Sequence, residues 1–143
     1  MTPPLVVIAG PTASGKTGLA ISVAERFNGE IICADSRTIY RGMDVGTAKP
    51  TTDDRARVPH WGVDLVDPGD RFTAADFKEY ANTKIADIRN RQKIPFLVGG
   101  TGLYIDSVIF DFQFGISPDE QVRYKLEQMN VEQLHDYCVK HNI

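Results

Sequence analysis

A glycine-rich segment near the start of the chain constrains the fold more than any other feature. Residues 10–17 match the pattern GxxxxGK[ST] at every position. They are Gly10, Pro11, Thr12, Ala13, Ser14, Gly15, Lys16 and Thr17. The apolar run from Leu5 to Ala9 precedes them and predicts a strand buried on both faces, and a helix is predicted from Lys16 to Phe27. A strand, a tight loop and a helix in this order are typical of a phosphate-binding P-loop.

The chemistry of such a loop follows from its parts. Backbone N–H groups of the loop and of the helix start converge on a phosphate. Lys16 adds positive charge between two phosphates, and Thr17 offers a hydroxyl to Mg²⁺. The motif therefore predicts phosphate binding with Mg²⁺ as cofactor, but it does not say which molecule carries the phosphate.

Further buried runs predict an α/β fold. Strands are expected at Glu30–Ala34, Trp61–Val66 and Pro95–Val98. A long helix is expected after Thr73, which forms a capping pair with Asp76, and residues 37–59 are expected to form a long loop with short helical pieces. Strands that alternate with helices indicate a P-loop NTPase-like parallel sheet flanked by helices.

The pattern changes after about Phe114. Ser117 predicts a helix N-terminus with Pro118 at the favoured first position, and this helix is expected to end near Met129. A second helix, opened by Asn130, is expected to run towards His141. We therefore expect an α/β catalytic core over residues 1–113. Residues 114–143 would be the start of a helical insertion that is cut short.

The position of the acidic residues favours some P-loop proteins over others. A nucleotide hydrolase usually has a second carboxylate at the end of a neighbouring strand to hold Mg²⁺ and its water. Here the strand ending at Val98 leads into Gly99, Gly100 and Thr101, which argues against a motor or switch ATPase. Asp35, after the second strand, is the nearest acid and is expected to share one crevice with the P-loop and Thr101. It could organise the metal, accept a proton, or only order its own loop.

Composition sets broader limits. The 16 Lys and Arg against 19 Asp and Glu give a formal charge of −3, so the total charge does not predict nucleic-acid binding, although a local basic patch is compatible with it. The longest apolar runs are far too short to cross a membrane. The two cysteines, Cys33 and Cys138, have no metal-type spacing, and no secretory segment opens the chain. We expect a cytoplasmic protein with reduced thiols.

Five ordered segments resemble the tRNA dimethylallyltransferases, also called tRNA isopentenyltransferases. They are the P-loop at 10–17, Asp-Ser-Arg-Thr-Ile-Tyr at 35–40, Arg-Gly-Met-Asp-Val-Gly-Thr-Ala-Lys-Pro at 41–50, Val-Pro-His at 58–60, and the stretch 95–104 with its Val-Gly-Gly-Thr-Gly-Leu-Tyr ending. The resemblance covers nearly the whole chain up to Tyr104. It implies transfer of a dimethylallyl group from dimethylallyl diphosphate to N6 of an adenosine next to the anticodon of tRNA, with release of pyrophosphate.

The resemblance also implies roles for single residues. Lys16 and the loop would stabilise the departing pyrophosphate, and Asp35 would be the general base on the adenine amine. Thr101 would touch both substrates, and residues 114–143 would be the start of a tRNA-binding insertion. The residues contacting tRNA would be Asp35, Ser36, Arg37, Thr38, Thr101 and Arg123, because the target base has to leave its stack to react.

The chain departs from the family at a few points. The family often has glutamine at the position of Thr38 and a second histidine at that of Trp61, and its members are roughly twice as long. Three alternatives stay open at this point: a small P-loop metabolite kinase, an adenylate isopentenyltransferase, and a fragment that only binds phosphate. His60 is expected to be structural rather than catalytic, and Lys49 to be an ordinary loop cation unless its loop folds over the substrate.

Overall fold

The computed structural model describes residues 2–115 and 119–143 and divides the chain into two compact units, Met1–Phe112 and Gln113–Ile143. The sequence predicted a boundary one residue later. The assignment of the second unit to a tRNA-binding insertion stays a prediction. No helix among the described residues combines the length and the apolar character needed to cross a membrane.

The first unit is built on a four-stranded parallel sheet, which confirms the predicted α/β class. Its strands, in chain order, are β1 (Val6–Ala9), β2 (Gly29–Ala34), β3 (His60–Trp61) and β4 (Ile94–Gly99). The spatial order is β1-β4-β2-β3, so β2 and β4 are central. In the register, Phe96 lies opposite both Val6 and Ile31.

Helices cover both faces of this sheet. They are α1 (Lys16–Arg26), α2 (Thr52–Arg57), α3 (Ala74–Asn90) and α4 (Gly102–Ile109). Successive side chains of a strand point to opposite faces. Ile31 and Phe96 therefore pack in one apolar cluster with residues of α1, whereas Ile32 and Leu97 pack in the other with residues of α3 and α4.

Helix α3 begins where the sequence predicted. The Thr73 side chain accepts a hydrogen bond from the Asp76 backbone N–H, and the Asp76 carboxylate accepts one from that of Thr73. Four residues at helical spacing then face the core: Phe77, Ala81, Ile85 and Ile88. Phe72 packs against the same cluster, as expected of a hydrophobic staple.

Two strand predictions were wrong in detail. The first strand, which forms the edge of the sheet, begins at Val6 rather than Leu5, and it is not buried on both faces, because none of its residues is fully buried and Val7 remains 36% exposed. The strand predicted over Trp61–Val66 ends at Trp61. Gly62 and Asp64 adopt positive φ angles of 79° and 57°, which interrupt an extended strand. Val66 pairs with Tyr40 only through an isolated bridge.

The second unit contains helices α5 (Glu120–Glu127) and α6 (Val131–His141). The predicted cap at Ser117 and Pro118 lies outside the described residues. At the described start of α5 the N-cap is Asp119, whose side chain accepts from the Gln121 backbone N–H at 2.8 Å. Asn130 caps α6 as predicted, in a capping box with Gln133.

Candidate functional site

The phosphate-binding loop connects β1 to α1. Ala13 and Gly15 have positive φ angles of 62° and 82°, and a glycine tolerates that conformation at position 15 without steric cost. The Gly10 N–H donates to the Gly99 carbonyl at 3.4 Å, which ties the loop to the carboxyl end of β4. The Lys16 ammonium donates to the Pro11 carbonyl and lies 3.4 Å from the Ser14 hydroxyl. The cationic end of Lys16 thus lies over its own loop.

A cavity of about 390 Å³ opens beside this loop. Its polar part includes residues 12–17, Asp35 and Thr38. Apolar residues from α1, the central strands and the segment before α2 also line it: Ala20, Ile31, Ala48, Pro50 and Val98. One cavity therefore joins a phosphate-binding loop to a hydrocarbon surface.

Asp35 follows β2 and lines this cavity together with the P-loop. Its Oδ1 accepts the Arg37 backbone N–H at 2.8 Å, and its carbonyl accepts the Thr38 hydroxyl at 3.3 Å. The carboxylate therefore orders the turn after β2. Since that same turn places it in the cavity, the loop-ordering role and a chemical role are compatible.

Thr101 lies at the start of α4, beside the turn that carries Asp35. Its hydroxyl accepts the Ser36 backbone N–H at 3.0 Å, and its own N–H donates to the Ala34 carbonyl at 3.2 Å. Among the described residues the cavity lining includes Gly99 and Gly100 but does not extend to Thr101 or Ser36. The structure thus brings Asp35 and Thr38 to the P-loop and places Thr101 next to Ser36 at the same sheet edge.

The glycines after β4 permit this convergence. A Cβ atom added at Gly99 would lie 2.0 Å from the Ala34 carbonyl oxygen, so only glycine allows β4 to approach the end of β2 so closely. In the sequence, the Gly99-Gly100 pair after a predicted buried strand was the signal for this close approach.

The remaining predicted contact residues belong to different units. Arg37 is exposed in the turn after Asp35. Arg123 belongs to the second unit, where its side chain is 53% exposed and its Nε lies 2.9 Å from the Glu127 Oε1. A contact of Arg123 with tRNA stays a prediction.

His60 is a cavity residue with an unused nitrogen. Its Nδ1 lies 2.7 Å from the Val58 carbonyl, so Nδ1 carries the proton and Nε2 is an acceptor. Burial lowers the pKa of His60, which favours this neutral form. Nε2 is buried and has no hydrogen-bond partner among the described residues. The Val-Pro-His segment was visible in the sequence, but its surroundings were not.

Cys33 also reaches the cavity, yet its thiol is chemically quiet. Burial raises the pKa of Cys33 to about 12, so the reactive thiolate is not populated near neutral pH. The Cys33 thiol is therefore inert in the pH range near neutrality.

The cavity suits a magnesium ion shared with a phosphorylated ligand. Among the described residues, no group of three or more His, Cys, Asp or Glu side chains could hold a metal by itself. The Thr17 hydroxyl and the Asp35 carboxylate are oxygen donors lining one cavity. Mg²⁺ is commonly held by one or two such groups while phosphates and water complete its shell. The donor set therefore fits Mg²⁺.

Comparison with known proteins places these features in a family. The family model described as IPP transferase matches residues 38–141. The tRNA dimethylallyltransferase of Staphylococcus epidermidis is 49% identical over 96% of this chain and 44% of its own length. The chain thus spans less than half the length of that relative.

Solved structures agree with this match. The tRNA isopentenylpyrophosphate transferase from Bacillus halodurans aligns with a TM-score of 0.76 and 48% identity, over 95% of this chain and 46% of the other. A eukaryotic dimethylallyltransferase acting on tRNA aligns with a TM-score of 0.81 and 30% identity, over 97% of this chain and 36% of the other.

Proposed function

Because the chain belongs to the IPP transferase family, we propose that it provides the diphosphate-binding part of a tRNA dimethylallyltransferase, a cytoplasmic tRNA-processing enzyme. The reaction would move a dimethylallyl group from its diphosphate to N6 of an adenosine next to the anticodon and release pyrophosphate. The observation that carries the proposal is a cavity that is lined both by P-loop residues 12–17 and by apolar side chains.

The P-loop would hold the diphosphate end of the substrate. Residues 12–17 would supply backbone N–H groups, and the Lys16 ammonium, which donates to the Pro11 carbonyl in this structure, would turn to a phosphate oxygen. Thr17 and Asp35 would hold Mg²⁺, which, when bound, neutralises charge on the departing diphosphate. A pyrophosphate leaving group needs no carboxylate to activate water, which accounts for the absence of a carboxylate directly after β4.

Asp35 would accept the proton that the adenine amine loses. In the transfer, the N6 lone pair forms a bond to the first carbon of the dimethylallyl group while that carbon's bond to the diphosphate oxygen breaks. The proton from N6 passes to the Asp35 carboxylate. The Asp35 Oδ1 hydrogen bond to Arg37 fixes the carboxylate, and its other oxygen makes no hydrogen bond within the described residues.

The turn after β2 would face the base that has left its stack. Ser36, Arg37 and Thr38 follow Asp35 directly, and Thr101 supports the turn through its hydrogen bond to the Ser36 N–H. Thr38 is buried on the cavity side, where its hydroxyl replaces the longer amide common in the family. Arg123 would add a cation towards tRNA.

Ligand binding and group transfer test this proposal together. Calorimetric titration with Mg²⁺ should give tighter binding of dimethylallyl diphosphate and pyrophosphate than of ATP. Lys16→Met is the matched control, because it removes one charge-assisted contact and should weaken diphosphate binding about ten- to a hundredfold. Preferential ATP binding with steady ADP production would instead assign the chain to the metabolite kinases. Transfer to AMP rather than tRNA would indicate an adenylate isopentenyltransferase.

A further inference from the structure

A loop of residues 41–50, which we call the strap, forms part of the apolar cavity wall. It bends at Gly42, Gly46 and Ala48, whose φ angles are 72°, 75° and 53°. The Thr47 hydroxyl donates to the Met43 carbonyl at 2.6 Å and closes the strap on itself. Ala48 and Pro50, at the end of the strap, line the cavity.

Lys49, between these two wall residues, is buried rather than solvated. Its side chain is only 3% exposed. Its ammonium donates to the Tyr40 carbonyl at 2.9 Å, to the Asp44 Oδ1 at 2.7 Å and to the Asp64 Oδ1 at 2.8 Å. All three ammonium donors are therefore used, and they connect the residue before the strap, the strap itself and the turn after β3.

A second cation reinforces the same anchor. Arg55 donates from Nη1 to the other oxygen of Asp64 at 3.0 Å, and from Nε to the Pro50 carbonyl at 3.2 Å. Asp64 thus bridges Lys49 and Arg55. Lys49 lies between Ala48 and Pro50 in the chain, and Arg55 binds the Pro50 carbonyl, so both cations are connected to the residues of the cavity wall. Burial lowers the pKa of Lys49, but the hydrogen bonds and charges of Asp44 and Asp64 outweigh this effect and leave the pKa raised.

Burying an ammonium group lowers the stability of the fold unless the group is fully paired. A lysine that is buried and paired in this way is therefore expected to have a structural role. Lys49 does not line the cavity among the described residues, whereas both of its neighbours named above do. We propose that Lys49 is a positioning residue that sets the Ala48–Pro50 part of the cavity wall and thereby determines how well the site accepts the hydrocarbon group of a diphosphate substrate. The inference rests on the proposed function, which supplies the substrate class.

Two ligands separate this role from general stabilisation. Pyrophosphate would contact the P-loop and the Mg²⁺ ion but not the wall, whereas dimethylallyl diphosphate would also contact the wall. The variant Lys49→Met should lower the affinity for dimethylallyl diphosphate about tenfold or more, since even one methylene in a fitted pocket changes binding by that order. Affinity for pyrophosphate should stay within about twofold, because the P-loop is untouched. Both are measured by calorimetry with Mg²⁺ on the whole chain.

Two further variants complete the test. Asp64→Asn keeps the shape of the side chain and replaces Lys49→Met in the test if that variant does not fold. It should also lose affinity for dimethylallyl diphosphate selectively, but by a smaller factor. Asp44→Asn is the matched control, because it removes only the exposed partner of Lys49, and both affinities should change less than about twofold.

The outcomes distinguish the inference from the proposed function. Equal loss of both ligands in Lys49→Met or Asp64→Asn, or no loss of either, would overturn the positioning role. If the unsubstituted chain binds ATP more tightly than dimethylallyl diphosphate and pyrophosphate, the proposed substrate is wrong instead. A selective loss restricted to the hydrocarbon ligand supports both.

Discussion

Strand β2 carries one carboxylate near each end, and the two have opposite surroundings. Glu30, at the amino end, is 1% exposed and accepts hydrogen bonds from Arg91, from Lys93 at 2.8 Å and from the Trp61 Nε1 at 2.8 Å. Asp35, after the carboxyl end, lines an open cavity and accepts one backbone N–H. A carboxylate whose acceptor capacity is filled by the protein serves the fold, whereas one with capacity left over can serve a ligand.

The electrostatics of Glu30 express the same contrast. Hydrogen bonds from Arg91 outweigh the opposing effect of burial and, with Lys93 and Trp61, lower the pKa of Glu30 to about 2. Glu30 is therefore charged near neutral pH, and it holds the end of α3 and the start of β4 against β2. Its position far from the carboxyl edge of the sheet excludes it from the crevice where ligands bind in such folds.

The largest expected effect concerns Asp35. Asp35→Asn removes the proton acceptor but keeps the oxygen that accepts the Arg37 N–H, so turnover should fall by about two to four orders of magnitude. The assay is prenyl transfer to tRNA, with this chain and, in parallel, a chimera in which it replaces the matching part of the Staphylococcus epidermidis relative. Near-normal turnover in an otherwise active protein would remove Asp35 from the base role.

Glu30 should show the complementary result. Glu30→Gln leaves the partly buried Arg91 and Lys93 without their counter-charge, and the free energy of unfolding should fall by about 3 kcal/mol. Urea denaturation measures the loss, and Asp87→Asn, which removes only the exposed i,i+4 partner of Arg91, is the control with an expected change below about 0.5 kcal/mol. If folded Glu30→Gln protein binds pyrophosphate much more weakly, the assignment of a structural role to the amino end of β2 and a ligand-binding role to its carboxyl end is wrong.

The pH dependence of stability sharpens the role of Glu30. The folded pKa of about 2 lies below its ordinary value of 4.5, so the unfolded chain binds the proton more readily. The stabilisation is present above pH 4.5 and is lost as pH falls towards 2, with a contribution on the order of 3 kcal/mol. Unfolding free energies between pH 6 and 2 should fall less steeply in Glu30→Gln than in the unsubstituted chain. Parallel pH profiles would contradict this assignment.

Local signals explain what the sequence predicted correctly. The P-loop, the buried runs of β2 and β4 and the capping pair at Thr73 are each encoded within a few neighbouring residues. The edge position of β1 was missed because strand order depends on pairing between distant segments. The environment of Lys49 was missed for the same reason, because its partner Asp64 lies fifteen residues away and after an interrupted strand.

The site was predictable in its residues more than in its contacts. The placement of Asp35 beside the P-loop follows from the rule for carboxyl ends of parallel strands. The buried, unpartnered Nε2 of His60 does not follow from any local pattern, since it depends on how the segment before β3 packs against the cavity. Thr101 was expected to share a crevice with Asp35 and the P-loop; the hydrogen bond that its hydroxyl accepts from the Ser36 N–H, between residues far apart in the chain, was not predictable.

The smallest expected effect is the response of pyrophosphate binding to Asp35→Asn. Without metal, the Asp35 carboxylate lines the same cavity as the P-loop and repels a bound diphosphate, so the asparagine variant should bind pyrophosphate about two- to fivefold more tightly in EDTA. With Mg²⁺ the sign should reverse, because a carboxylate that shares the metal with phosphate oxygens attracts the complex, and its loss should weaken binding by about the same factor.

The matched control is Asp53→Asn, which removes an exposed carboxylate at the start of α2 that does not line the cavity, and it should change neither value. Tighter binding by Asp35→Asn under both conditions would show that Asp35 does not hold the metal and would leave proton transfer as its only proposed chemical role.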